Sequence, residues 1–238
     1  MALSTRPPPP ADNHILAALP QNDYHHLFAS LEPVKLTSGD ILQQPDQPIA
    51  YSYFVTDGVI SVVASTEEGG SVEVGIVGRE GMVNIESFLG ADTTSYMFNV
   101  QIPGNALRMK PDQFQNESNR SGPLQVLMRR FTQLMFSQVM QSVVCNRFHN
   151  VEERLSRWLL MCQDRLRSDE LALTQEFLAQ MLGSRRAGVN VATGILQKAG
   201  VIHHHRGRIT VLDRQGLEST ACECYEINKN EFDKYLSV

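Results

Sequence analysis

The sequence predicts an α+β chain in three parts: an N-terminal β-roll, one long helix, and a C-terminal winged helix-turn-helix. Three observations carry this. Between Leu36 and about Lys110, short runs rich in Val, Ile, Tyr and Phe stop at Gly, Pro, Asp or Asn, the mark of strands and turns. From Pro123 to Phe148, apolar residues recur at spacings of three and four with no internal breaker. From Thr174 to Ile202, small and apolar residues take the positions that two steeply crossed helices require.

In chain order, the first residues, MALSTRPPPP, hold four consecutive prolines and no apolar targeting core, so residues 1–20 are read as an extended tail. No run of eighteen apolar residues occurs, which removes a helical membrane span and points to a soluble cytoplasmic protein. A length of 238 residues suits two compact domains and a connector. The expected division is tail 1–20, sensor-like β-roll 21–121, long helix 122–148 and winged helix-turn-helix domain 149–238. In the roll, YSYFVTDGVISVVAS, SVEVGIVG, SYMFNVQIP and ALRMK read as strands, and Gly39, Gly58, Gly69, Gly70 and Gly78 as turns. Alternation at Tyr53, Val55, Val59, Ser61 and Val63 predicts a sheet with one face buried.

The long helix opens with Pro123, which suits a first turn. Its stripe of Leu124, Leu127, Met128, Phe131, Leu134, Met135 and Val139 is broader than contact with one domain requires, which implies a partner helix, with burial against the chain's own roll as the alternative or an addition. VEERLSRWLLMCQDRL follows as a packing helix through Val151, Leu155, Trp158, Leu159 and Cys162, with a hinge at Phe148 to Val151.

Thr174 can cap the next helix through its side-chain oxygen, with Leu178 and Ala179 on the buried side. Gly183 supplies the positive φ of a tight turn, Ser184 is expected to cap the second helix, and Val189, Ala192, Ile195 and Leu196 form its buried stripe. The opposite face is left for duplex DNA. Arg186 and Asn190, four residues apart, share that face; Arg can grip guanine through two parallel bonds and Asn can hold an adenine edge. Arg185 suits a phosphate. Arg206 and Gly207 turn a short hairpin, the wing, where Arg206 and Arg208 can reach the phosphate backbone. Between Gly183 and Arg214 the sequence holds six basic residues and one acidic residue, so a chain of net charge −5 carries one local basic segment.

LTQEFLAQMLG at 173–183, LQKAGVI at 196–202 and GRITVLD at 207–213 resemble the winged helix-turn-helix of the Crp/Fnr family of bacterial transcription regulators. The resemblance sets Thr174, Gln175, Ser184, Arg185, Arg186, Ala187, Asn190, Arg206 and Arg208 at the DNA. Arg186 takes the place of the family's first base-reading arginine, whereas Ala187 replaces its usual glutamate and Val191 its second arginine. Upstream, SGD at 38–40 and YFVTDGVISVV at 53–63 are similar to the family's cyclic-nucleotide-binding β-roll. The resemblance implies a homodimer through the long helix, two recognition helices about 34 Å apart on a palindromic operator, and RNA polymerase as an optional further partner.

Each effector that the resemblance implies needs its own residues. In nucleotide-binding members a Gly-Glu pair holds the ribose and an Arg the cyclic phosphate; here Met82, Val83 and Thr94 stand in the matching stretch, so no cyclic AMP is expected. Arg79 and Glu80 are read as a surface pair. Cys145, Cys162, Cys222 and Cys224 are spread over two helices and the C-terminal segment, which suits neither an iron–sulfur cluster nor a zinc site. Cys222 and Cys224 with His203, His204 and His205 have poor zinc spacing, because consecutive strand residues face opposite ways. His25 and His26 are read as helix-surface residues rather than haem ligands. No cofactor and no metal are predicted, and the small-molecule effector stays open. No nucleophile, metal motif or opposed carboxylate pair supports an enzyme. The alternative is a ligand-binding or protein-interaction module whose winged helix grips a partner protein; the local basic segment argues against it, and steep salt dependence separates the two.

Overall fold

The computed structural model describes residues 12–166 and 168–237. Most of the predicted tail lies outside them, but its end is helical: α1 (His14–Ala17) is capped by Asn13, whose Oδ1 accepts from Leu16 N. Asn13 also donates to the carbonyls of Val55 and Gly81, and Ile15 and Leu16 are fully buried. Two apolar side chains and a buried cap hold this turn against the roll, so residues 13–20 are part of the domain and not an extended tail.

After α2 (Gln21–Phe28) come β1 (Glu32–Leu36), β2 (Ile41–Gln43), β3 (Ser52–Ser65), β4 (Ser71–Val77), β5 (Met82–Val83) and β6 (Met97–Met109). They form one antiparallel sheet ordered β1-β6-β3-β4, with β2 on β6 and β5 on β3. SYMFNVQIP and ALRMK, read as separate strands, join in β6. The long strands bend together at register shifts between Val55 and Ile60. Gly58, at φ +89°, sits so close to β6 that a Cβ there would lie 2.5 Å from the Ile102 carbonyl oxygen, and Gly104 leaves the same room beside Asp57. β3 is buried on both faces, unlike the one-sided pattern expected. The roll interior takes Phe54, Ile60 and Val62, while Val59, with Ile76 and Ile102, packs under a helix of the C-terminal part.

α3 (Pro111–Ser118) leads to α4 (Pro123–Phe148), with the bounds that the spacing predicts. Its faces are assigned differently. Leu124, Met128, Phe131 and Leu134 are buried against the chain's own roll, with Leu127 and Met135 packed beside them. Another face exposes Val126, Phe136, Met140, Val143, Val144 and Phe148. Of the two uses open to the stripe, burial against the chain's own roll takes it, and a second apolar face remains.

α5 (Val151–Arg165) starts at a capping box of Asn150 and Glu153. β7 (Glu170–Ala172), α6 (Gln175–Met181), α7 (Arg186–Lys198), β8 (Ile202–His205) and β9 (Arg208–Val211) follow, then α8 (Arg214–Thr220) and α9 (Cys224–Leu236). α9 turns back toward α4 and the roll: the Tyr235 ring lies 6.1 Å from that of Phe131, and its hydroxyl donates to the Glu80 carbonyl at 2.9 Å. Glu80 is no surface residue. Its carboxylate is fully buried and meets Arg165 Nε of α5 at 2.7 Å, because the turn after β4 folds under the C-terminal part.

Candidate nucleic-acid interface

Thr174 accepts from Phe177 N at 3.2 Å and starts α6 as predicted, and Gly183 takes φ +52° in the turn. Ser184 does not cap α7. Its N–H bonds back to the Ala179 carbonyl, which keeps it within the turn, and the cap position falls to Arg185 without any side-chain bond. In α7 Val189, Ala192 and Leu196 are buried as expected, but Ile195 is 44% exposed and Thr193 fills the inner face, donating to the Val189 carbonyl.

The outer face of α7 presents Arg185, Arg186, Ala187 and Asn190 to solvent, with Val191 behind them. Arg186 Nη1 lies 3.8 Å from Glu176 Oε2, both side chains well exposed. A pair that open is worth at most about 1 kcal/mol and yields easily to a base or phosphate. On this face one guanidinium and one carboxamide flank an apolar strip of Ala187 and Val191, a surface suited to base edges and a thymine methyl.

The wing is a three-stranded sheet, β7-β9-β8. Arg206 (φ 46°) and Gly207 (φ 74°) make the two-residue turn, and the pairing of His205 with Arg208 closes it. Leu173 N donates to the Gly207 carbonyl at 2.7 Å, so the wing tip stands beside Thr174, Gln175 and the start of α6. β7 has no counterpart among the strands expected from the sequence; buried Leu171 and Leu173 on either side of exposed Ala172 are its only signal there. Its Glu170 ion-pairs with Arg208. A phosphate contact by Arg208 must therefore replace Glu170. Arg214 leaves the basic segment altogether, held by Asp164 at 2.7 Å, Glu218 at 2.9 Å and the Tyr225 hydroxyl. Burial pulls the pKa of this guanidinium down, but Asp164, Tyr225 and Glu218 together hold it above its ordinary value.

Within the roll, Met82 and Val83 of β5 are buried and pair with Phe54 and Tyr53. Thr94, which the resemblance sets near the family's phosphate-binding arginine, donates to Glu86 Oε1 at 3.0 Å. His203 and His205 stack on one side of β8 while His204, its pKa lowered by burial, faces the other, as strand geometry demands. The cysteines are not scattered in space. Cys145, Cys222 and Cys224 converge with His149, a residue that no sequence motif singles out, while Cys162 is buried apart from them in the core under α5.

Two family models match the chain: a cyclic nucleotide-binding domain over residues 33–121 and a Crp-like helix-turn-helix domain over residues 153–220. No curated relative matches the sequence. Among solved structures, a transcriptional regulator of the Crp/Fnr family from Eubacterium rectale aligns with TM-score 0.67 at 18% identity, over 85% of this chain and 94% of that one. FixK2 from Bradyrhizobium japonicum aligns with TM-score 0.69 at 15% identity, over 81% and 98%. The regulator CLP of Xanthomonas campestris, described as responsive to c-di-GMP, aligns with TM-score 0.65 at 15% identity, over 81% and 99%. A nucleotide-binding type of roll, a connecting helix and a Crp-like reading head in this order make the chain a member of the Crp/Fnr-type transcription regulators.

Proposed function

We propose that this chain acts in the cytoplasm as a homodimeric regulator that reads a palindromic operator and responds to a signal other than cyclic AMP. The exposed first turns of α7, with Arg186 and Asn190 on one outward face, carry the reading. Arg186 grips a base in each half-site, Asn190 a neighbouring base, and Arg185 and Arg206 the phosphates on either side. Thr174, Gln175 and Ser184 border this contact at the start of α6 and in the turn. Dimerisation rests on the second apolar face of α4, where Phe136, Val143 and Phe148 are each more than 60% exposed in the single chain. A patch of this kind is covered in solution by a partner. The Glu86–Thr94 pair argues against a cyclic monophosphate, since burying a phosphate beside a carboxylate without a cation is strongly unfavourable. Contact with RNA polymerase would decide between activation and repression, with operator position.

Selection of bound fragments from random duplex DNA tests the proposal. A two-fold symmetric motif is expected, with binding that weakens steeply as salt rises. Arg186→Ala should relax one position in each half-site and weaken binding by about 1–3 kcal/mol for each base no longer held. An unchanged motif would remove Arg186 from the contact; recovery of no motif would remove the function.

A further inference from the structure

The last turn of α4, the residue after it and the segment between α8 and α9 meet at a point that DNA reading does not use. Cys145 and His149 are four residues apart at the end of α4 and so face one way. Cys222 and Cys224 flank Glu223 at the start of α9. The Sγ atoms of Cys145 and Cys222 are 3.6 Å apart, and Cys224 Sγ is 3.5 Å from His149 Nδ1. All four ligand atoms lie within 4.8 Å of one another. A zinc-type ion binds sulfur at about 2.3 Å and nitrogen at about 2.0–2.1 Å, so its tetrahedral ligands stand roughly 3.5–3.8 Å apart. The span fits one ion and is too small for a multi-iron cluster.

The surroundings point the same way. The three thiols are buried, and the His149 side chain is 12% exposed. His149 Nε2 lies 3.2 Å from Glu223 Oε2. An N–H donated to that carboxylate leaves the Nδ1 lone pair facing the sulfurs, the orientation a carboxylate gives to a metal-binding imidazole. Gln141 Nε2 donates to Cys224 Sγ at 3.0 Å, as a thiolate would accept. Three thiolates around a divalent ion sum to one negative charge, and buried Arg154 and Arg157 stand by to balance it, each with an Nε that has no hydrogen-bond partner.

We propose that Cys145, His149, Cys222 and Cys224 hold one thiophilic divalent metal ion of the zinc type in a closed tetrahedral site. With four protein ligands no position is open for substrate, so the ion is structural. It ties α9 to the end of α4 beside the junction with α5. Arg154 passes that restraint on, donating both to Asn146 Oδ1 at 2.6 Å and to the Leu182 carbonyl in the turn of the reading head. A Cys145–Cys222 disulfide is the competing use of the same geometry, but it would leave Cys224, His149 and the Glu223 contact without a role.

The full-length protein, purified under reductant and without chelator, decides it. One equivalent of zinc per chain is expected by elemental analysis. Cobalt replacement should give the visible bands of a tetrahedral thiolate site. Alkylation mapped by mass spectrometry should find Cys145, Cys222 and Cys224 protected until a chelator is added, and the melting temperature should fall with the metal. Cys224→Ser and His149→Ala should lose the cobalt spectrum, whereas Cys162→Ser should keep it. If a variant fails to fold, the wild-type cobalt spectrum and alkylation map are decisive alone. Absence of stoichiometric zinc or cobalt after reconstitution, a disulfide that persists in reductant, or an unchanged cobalt spectrum in folded Cys224→Ser overturns the site. None of these readouts involves DNA, so failure here leaves the operator reading intact.

Discussion

Glu80 and Arg165 show how much one side-chain pair can fix. The carboxylate is fully buried, accepts from Gly78 N as well as from Arg165, and joins the turn after β4 to the end of α5. Arg165→Met leaves that charge without its partner, and a loss of about 3–5 kcal/mol is expected in denaturant unfolding. Adding Glu80→Gln, which removes the stranded charge and still accepts from Gly78 N, should recover most of it. Glu73 of β4 behaves differently. Ser61 donates to it at 2.6 Å and Trp158 Nε1 at 2.7 Å. Burial nevertheless raises its pKa to about 7, against the opposing pull of those bonds and of Arg157 and Arg165 on α5. The folded state therefore keeps a proton that the unfolded chain gives up near pH 4.5. The stability this contributes is complete below that pH and lost as pH rises through about 7. Glu73→Gln should flatten that part of the profile, so the stability difference between wild type and variant, measured by denaturation at pH 5 and pH 8, should shift against wild type at the higher pH. Equal differences at the two values would show that Glu73 ionises normally.

α4 is the element on which the proposed dimer turns. Its sequence is apolar on more than one side, so spacing alone establishes a helix without saying which stripe meets the roll. Packing decides: Met128 and Phe131 lie under the roll's own side chains, and Phe136, Met140 and Val143 face out. Phe136→Glu with Val143→Glu should give a folded monomer in sedimentation, with operator affinity reduced because two half-sites are no longer bound together. A dimer that survives both charges would move the interface elsewhere. α6 and α7 are more legible, because Thr174 and Gly183 act through their own backbone neighbourhood. Ser184 departs from its expected role for the same kind of reason. Ser184 stands two residues before the first residue of α7, one short of the cap position, and the bond from Ser184 N to the Ala179 carbonyl keeps it in the turn.

In the whole molecule the helix-turn-helix part rests on its own roll: Gln180 donates to Ser71 at 3.3 Å, Trp158 to Glu73, and Arg165 to Glu80. A signal that reshapes β4 therefore acts directly on the orientation of α5 and α6. Cyclic AMP is not expected to be that signal, and titration to millimolar levels should leave both melting temperature and operator affinity unchanged; a saturable shift would refute the role assigned to Glu86 and Thr94. The amino-acid sequence by itself determined the order of roll, helix and winged helix-turn-helix, the span of α4, the Arg206–Gly207 turn and the outward face of Arg186 and Asn190. Each of these depends on residues within a few positions of one another, where period, capping and permitted φ act. Only the tertiary structure decided that Glu80 meets Arg165 across 85 positions, that Glu170 holds Arg208, and that Cys145 and Cys222 close on each other across 77. Such contacts depend on how two distant elements settle their buried faces, and no local pattern encodes that.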